Sequence, residues 1–196
     1  MSGKWELGGD KGFSVKSLRN IMEEGVVGGG AATSWCQLIP PKVNVFLWRA
    51  KLDRIPTRLA LNNRAIDLDS VLCPRCEGAV EDINHALVGC PEVKRLWERF
   101  GRWWNKDVGS IDSLSDLIHG DEEILRASKG RSWWVGAKWT FIYLVWTHRN
   151  KVVFNMDKSR ASDNFIEWQR LVFEWLNRRC KKKTVGWIAW LAGSYG

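Results

Sequence analysis

Several reaction signatures are missing from this chain, and their absence narrows its chemistry before anything present is weighed. Adjacent aspartates, which a polymerase palm uses to hold magnesium ions, occur nowhere in the sequence. The phosphate-cradling Gly-x4-Gly-Lys-Ser or Thr loop is absent, and the glycine-rich stretch GVVGGGAATS lacks the lysine that would make it one. There is no Gly-x-Ser-x-Gly nucleophile elbow. The zinc-deaminase signature, His-x-Glu with a later Pro-Cys-x-x-Cys, fails because Ala86 and Leu87 follow His85. His119 and His148 have no nearby serine, cysteine or carboxylate in a catalytic arrangement and read as surface or helix-end residues. No enzyme activity is therefore expected of this chain by itself.

Long apolar runs are also missing. The opening MSGKWELGGDKG has no hydrophobic stretch behind its charges, so no secretory signal is read there and a nuclear or cytoplasmic setting is expected. The most apolar segment, from Trp133, is interrupted by Lys138 and followed by His148 and Arg149, too short and polar to span a bilayer. Internal repeats, coiled-coil heptads and low-complexity tracts are absent, and strand signals are weak.

What is present suits a globular, mainly α protein. The 196 residues have an ordinary 45% apolar share. Net charge is +8, from 30 Lys and Arg against 22 Asp and Glu, which makes a polyanion such as nucleic acid a natural partner. Fourteen tryptophans, several at helical spacing, read as a core of large rings.

Along the chain, GFSVKSLRNIMEEG predicts a first helix with Ser14 as N-cap, a Phe13–Leu18 staple and Gly25 as its end. In LIPPKVNVFLWRAKL, Val43, Phe46, Leu47 and Ala50 repeat at helical spacing behind a proline pair, with Lys42 and Arg49 on another face. A shorter helix is expected in IPTRLALNNR. PEVKRLWERFGRWWNK places Val93, Leu96, Trp97, Phe100 and Trp104 on one stripe and Arg95, Arg99 and Arg102 on another. SIDSLSDLIHG suggests one more short helix, and GDEEILRASKGRS a boundary between two halves. Two long helical patterns follow, at 132–154 and 163–180, the second capped by Ser162 or Asp163 and ending in RRCKKK. The final stretch TVGWIAWLAGSYG gives no reading.

The densest chemistry lies in CPRCEGAVEDINHALVGC. Cys73-x2-Cys76-x8-His85-x4-Cys90 supplies three thiolates and one imidazole, a closed tetrahedral set for one structural zinc ion. Pro74 stiffens the knuckle, and Gly78 is expected to take the positive φ that turns backbone N–H groups toward sulfur. Cys90 precedes Pro91 at a helix start, where the dipole favours a thiolate. Glu77 and Glu81 read as solvated loop residues. Buried free cysteines beside a lone core histidine are the competing reading. Cys36 and Cys180 are spare thiols, since an odd count with three clustered sulfurs argues against a disulfide framework.

These motifs occur in a telling order: WCQLIPPKVNVFLWR from Trp35 to Arg49, then IPTRLALNNR, then CPRC, EDINH and CP, then Trp97. The order closely resembles the reverse-transcriptase zinc-binding domain of plant LINE-type (non-LTR) retrotransposons. Phe13 to Lys16 look like that family's lead-in, and WTHRNKVVF from Trp146 to Phe154 like its common downstream segment. Ile55 before Pro-Thr and Ala86 after the histidine depart from the usual leucines, and neither is a zinc ligand candidate.

The resemblance implies an accessory piece of a retroelement polyprotein that follows a reverse-transcriptase domain and helps it hold template RNA or target DNA without catalysis. Lys42, Arg49, Arg54, Arg58, Arg95, Arg99 and Arg102 are the candidate phosphate contacts, with a merely solvated charged face as the competing reading. Expected partners are RNA or DNA and the reverse-transcriptase domain of the same polyprotein, with no membrane. A zinc-stabilised protein-interaction scaffold, or a decayed fragment without activity, is the alternative. The expected layout is a disordered terminus at 1–12, the small helical zinc-binding domain at 13–107, a linker with a short helix at 108–130, a helical extension at 131–183 and a tail at 184–196.

Overall fold

The computed structural model describes residues 34–108, 111–154, 159–180 and 186–192. The first helix expected near Ser14 lies outside them. Among the described residues the protein is mainly helical, and its one extended pairing is an isolated antiparallel bridge between Leu72 and Val80.

Helix α1, Pro41–Lys51, starts at the proline pair, because a proline in the first turn gives up no hydrogen bond and already has a helical φ. It buries Val43, Phe46, Leu47 and Ala50, the residues its spacing selected. Asn44 is buried as well: its Oδ1 accepts from the Cys36 N–H at 3.0 Å and its Nδ2 donates to the Cys36 carbonyl at 3.0 Å, tying the entering strand of chain to the helix. Helix α2, Arg58–Asn62, is capped by Thr57, whose hydroxyl accepts from the Ala60 N–H.

Helix α3, Pro91–Trp104, again opens on a proline and buries Val93, Leu96, Trp97, Phe100, Trp103 and Trp104. Asn105, in the left-handed region at φ 48°, ends it. The span 108–130 carries two short helices, α4 (Leu114–Leu117) and α5 (Asp121–Ala127). They bury Leu114, Leu117, Asp121 and Leu125, so this charged stretch contributes to the core.

Helix α6, Trp133–Val153, is the axis of the fold and packs against α1, α5 and α7, Phe165–Arg179. It is buried on most sides, as expected for a helix apolar nearly all round. Two of its buried side chains are tied to the stretch before it: Lys138 donates to the Leu117 carbonyl and pairs with Asp121, each at 2.7 Å, while Trp139 Nε1 donates to Asp121 at 2.8 Å. Gly136 lets α7 and the Cys36 segment come close, since a Cβ there would stand 2.7 Å from Leu176 Cδ2 and 3.3 Å from Cys36 Sγ. His148 corrects the surface reading: it is buried within α6, with Nε2 3.2 Å from the Ser159 carbonyl.

The cap of α7 also differs from expectation. Asn164 holds the N-cap position, because a 3-10 turn, Ala161–Asn164, precedes the helix and Asp163 accepts from the Arg160 N–H in that turn. Helix α8, Trp187–Leu191, forms in the stretch that gave no reading. Trp190 holds it in place: its carbonyl accepts from Trp103 Nε1 at 2.9 Å, and its own Nε1 donates to the Gln169 carbonyl at 3.0 Å.

Aromatic rings cluster in the core around Phe100 and Phe141. Phe100 lies 4.7 Å from Phe141, 5.4 Å from Trp97 and 5.6 Å from Trp134, centroid to centroid. Tilted and edge-on pairs of this kind contribute about 0.5–1.5 kcal/mol each beyond area burial.

Candidate metal centre

The segment between α2 and α3 is a short pinched loop. The Leu72–Val80 bridge closes its base, with the Cys73 N–H on the Ala79 carbonyl at 2.8 Å and the Glu81 N–H on the Val71 carbonyl at 2.9 Å. The knuckle at its tip is closed by the Glu77 N–H on the Cys73 carbonyl at 2.8 Å. Its left-handed residue is Glu77, at φ 53°, and not Gly78. The turn ends one residue earlier than composition suggested, so glycine's freedom is not spent there.

The second pair of candidate ligands comes from a π-helical turn, His85–Gly89, leading into α3. Asp82 starts it by accepting from the His85 N–H at 2.6 Å, and the Cys90 N–H closes it on the His85 carbonyl at 2.9 Å. A ring closed over five residues brings His85 and Cys90 to one side, whereas α-helical spacing would part them. Trp97 Nε1 donates to the Leu87 carbonyl at 2.9 Å and fastens the turn to α3.

The four side chains converge. Their donor atoms all lie within 4.8 Å of one another, with Cys73 Sγ 3.9 Å from Cys90 Sγ and Cys76 Sγ 3.2 Å from His85 Nε2. A tetrahedron around zinc with bonds of about 2.3 Å to sulfur has edges of about 3.8 Å, so this donor set fits that ion in size and in softness. Cys73 and Cys90 are fully buried, and Cys76 and His85 are half-buried. The centre is closed on the protein side.

Electrostatics point the same way. A hydrogen bond from Cys90 lowers the Cys73 thiol to about 3, while that shared proton and burial push Cys90 up. One sulfur ionises readily and its neighbour then resists, a conflict that a dication between them removes. Arg75, inside the knuckle, favours the ionised form of both thiols and donates through Nη2 to the Ala86 carbonyl. Three thiolates around a dication leave one negative charge in excess, which this guanidinium offsets.

Glu81 corrects the solvated-loop reading and is the functional residue that sequence reasoning missed. It is wholly buried, and its carboxylate accepts from Arg149 Nε at 2.8 Å, from Arg149 Nη2, and from the Arg58 N–H at 3.0 Å. Arg149, itself buried, comes from the C-terminal part of α6. The pair clamps the metal loop to the central helix. Glu77 is exposed, as expected.

The candidate phosphate contacts are scattered in their engagement. Arg49 Nη2 donates to the Arg54 carbonyl at 3.2 Å, which brings those two exposed residues together. Arg58 Nη1 donates to the Leu72 carbonyl at 2.9 Å and supports the loop base. On α3, Arg95 pairs with Glu92 at 3.0 Å and Arg99 lies 4.3 Å from the centroid of Phe165. Arg102 is exposed, with Nε 3.4 Å from the Glu98 carbonyl. Lys42, at the start of α1, points over aromatic rings of α6 and α7. Among the described residues no helix is long and apolar enough to cross a membrane.

Comparison with known proteins agrees with this geometry. Residues 13–97 match the family described as zinc-binding in reverse transcriptase, so the likeness drawn from the motifs holds at the level of the family. A putative ribonuclease H protein of Arabidopsis thaliana is 28% identical over 100 residues, which cover 48% of this chain and 16% of that protein. The match thus spans about a sixth of the relative's length. No solved structure matches the chain.

Proposed function

We propose that this chain, whose residues 13–97 match the zinc-binding module of reverse transcriptases, holds one structural zinc ion and binds RNA or DNA without catalysing a reaction. The observation that carries this reading is the convergence of Cys73, Cys76, His85 and Cys90 within 4.8 Å. When bound, zinc would supply a cross-link and no reacting group, because a closed set of four protein ligands leaves no position for water or substrate. The protein's own residues then set the geometry: Cys90 fixes the start of α3, and Glu81 with Arg149 fixes the loop against α6. Held this way, the basic residues of α1 and α3 present charge to phosphates from a rigid frame.

The net charge of +8 supports a polyanion as partner. Joined to a reverse-transcriptase domain in one polyprotein, such a module would raise the local concentration of template by tethering. A nuclear or cytoplasmic setting belongs to the same proposal.

Metal analysis of the purified chain should find about one zinc per chain, and Cys76→Ser should lose it together with the structure around the loop. RNA and DNA affinity should fall steeply between about 50 and 200 mM salt. Binding of a protein partner that ignores salt, with no affinity for nucleic acid, would favour the interaction-scaffold alternative. Primer extension by the isolated chain with magnesium or manganese should yield no product, and template-dependent extension would overturn the non-catalytic reading.

A further inference from the structure

Helices α1, α6 and α7 meet at a surface that the metal centre does not use. Lys42 of α1 holds its Nζ 5.6 Å from the centroid of Tyr143 and 5.1 Å from that of Trp175, and the two rings lie 6.4 Å apart. Lys42 is exposed and both rings are half-buried, while Phe46, edge-on to Tyr143 at 5.6 Å, is buried and stacked on the buried Trp146 at 6.1 Å. Tyr143 therefore rests on a buried inner layer, Trp175 lies beside it, and both keep part of their surface in water.

The charge around the rings is mainly positive. Arg49, one heptad beyond Lys42 on α1, is exposed, as are Arg178 and Arg179, three and four residues beyond Trp175 on α7. The nearby acid Glu174 is offset by Arg170 at 3.4 Å and Arg178 at 4.0 Å.

We propose that this surface is a binding site for single-stranded RNA or DNA, with a base stacked on Trp175 and Tyr143 and phosphates held by Lys42 and the flanking arginines. It rests on the nucleic-acid reading above and names where and in what form the strand binds. An unpaired base has a free π-face to give to a ring, whereas in a duplex those faces are already stacked. Base–ring stacking of this kind tolerates any sequence, and loss of one ring costs between about 5- and 150-fold in affinity.

The test uses the full, zinc-loaded chain with a fluorescein-labelled oligouridylate and a duplex of equal length. Trp175→Leu should weaken single-strand binding by about 10-fold or more and leave duplex binding unchanged, while Trp175→Phe should retain most of the affinity. Lys42→Gln should lower the single-strand salt slope by about one. If the parent binds neither nucleic acid, both this site and the wider reading fall. If the parent binds and a folded Trp175→Leu protein binds the single strand equally well, the site alone falls. Should that variant not fold, photo-crosslinking of a 5-iodouridine strand to the parent decides: adducts on Tyr143 or Trp175 support the site, and adducts confined to other peptides overturn it.

Discussion

Replacing Arg149 by methionine isolates the contact that joins the metal loop to the helical body. Glu81 is wholly buried and takes hydrogen bonds from three donors, two on the Arg149 guanidinium and one on the backbone of Arg58. The Arg149→Met protein keeps the volume of the side chain but leaves Glu81 with the Arg58 N–H alone. Removing one partner of a buried pair costs about 3–5 kcal/mol, because the remaining charge stays out of water without compensation. For a chain of this size each kcal/mol lowers Tm by about 2–4 °C, so the variant should melt about 6–20 °C below the parent. The double variant Glu81→Gln, Arg149→Met should recover part of that loss, since it removes the stranded charge as well. The assay is thermal melting of the zinc-loaded parent, both single variants and the double variant. A parallel measurement of zinc release should show faster loss in Arg149→Met, because the Glu81 backbone pairs with Val71 beside the knuckle. An Arg149→Met protein that melts within about 2 °C of the parent would refute the clamp.

The Lys138–Asp121 pair predicts a pH dependence. Burial lowers the Lys138 ammonium and raises the Asp121 carboxyl, and Asp121→Asn removes the charge that holds the lysine protonated. Below its ordinary value the unfolded lysine then binds more protons than the folded one, so stability of Asp121→Asn should rise as pH rises from 7 toward about 10; a flat profile in denaturant titrations would contradict this. Phe100→Ala should cost about 3–5 kcal/mol in urea unfolding through the cavity left among the surrounding rings. Arg95→Ala should stay within about 1 kcal/mol of the parent in the same titration, because the Arg95 side chain is 60% exposed in its pair with Glu92.

The features legible in the sequence are those whose causes lie close together along the chain. The proline pair and the i, i+3, i+4, i+7 spacing foretold α1, the stripe from Val93 to Trp104 foretold α3, and the ligand spacing foretold which four side chains meet. Position in the knuckle was less legible, since whether Glu77 or Gly78 takes positive φ depends on where the Leu72–Val80 bridge sets the register. The roles of Glu81, Arg149 and His148 were hidden because they are created across the fold. Glu81 and Arg149 are 68 residues apart, and no local pattern marks one as the other's counter-ion. Helix α8 was hidden for the same reason: a short helix is marginal alone, and Trp190 secures this one through Trp103 and Gln169.

The buried pair also changes what the metal is asked to do. A knuckle in a free loop must draw all of its order from the ion, whereas this loop is already fastened by the Leu72–Val80 bridge, by Glu81 on Arg149 and by Trp97 on the Leu87 carbonyl. Those contacts hold the loop that carries the four donor atoms, which lie within 4.8 Å of one another. A metal ion binding to such a loop would cost less ordering entropy than one that must fold a bare peptide around it, so more of the coordination energy would remain as affinity. The same contacts carry the effect outward. Whatever stabilises the knuckle stabilises Glu81, and through Arg149 it stabilises α6, the helix that supports Tyr143 and buries Trp146.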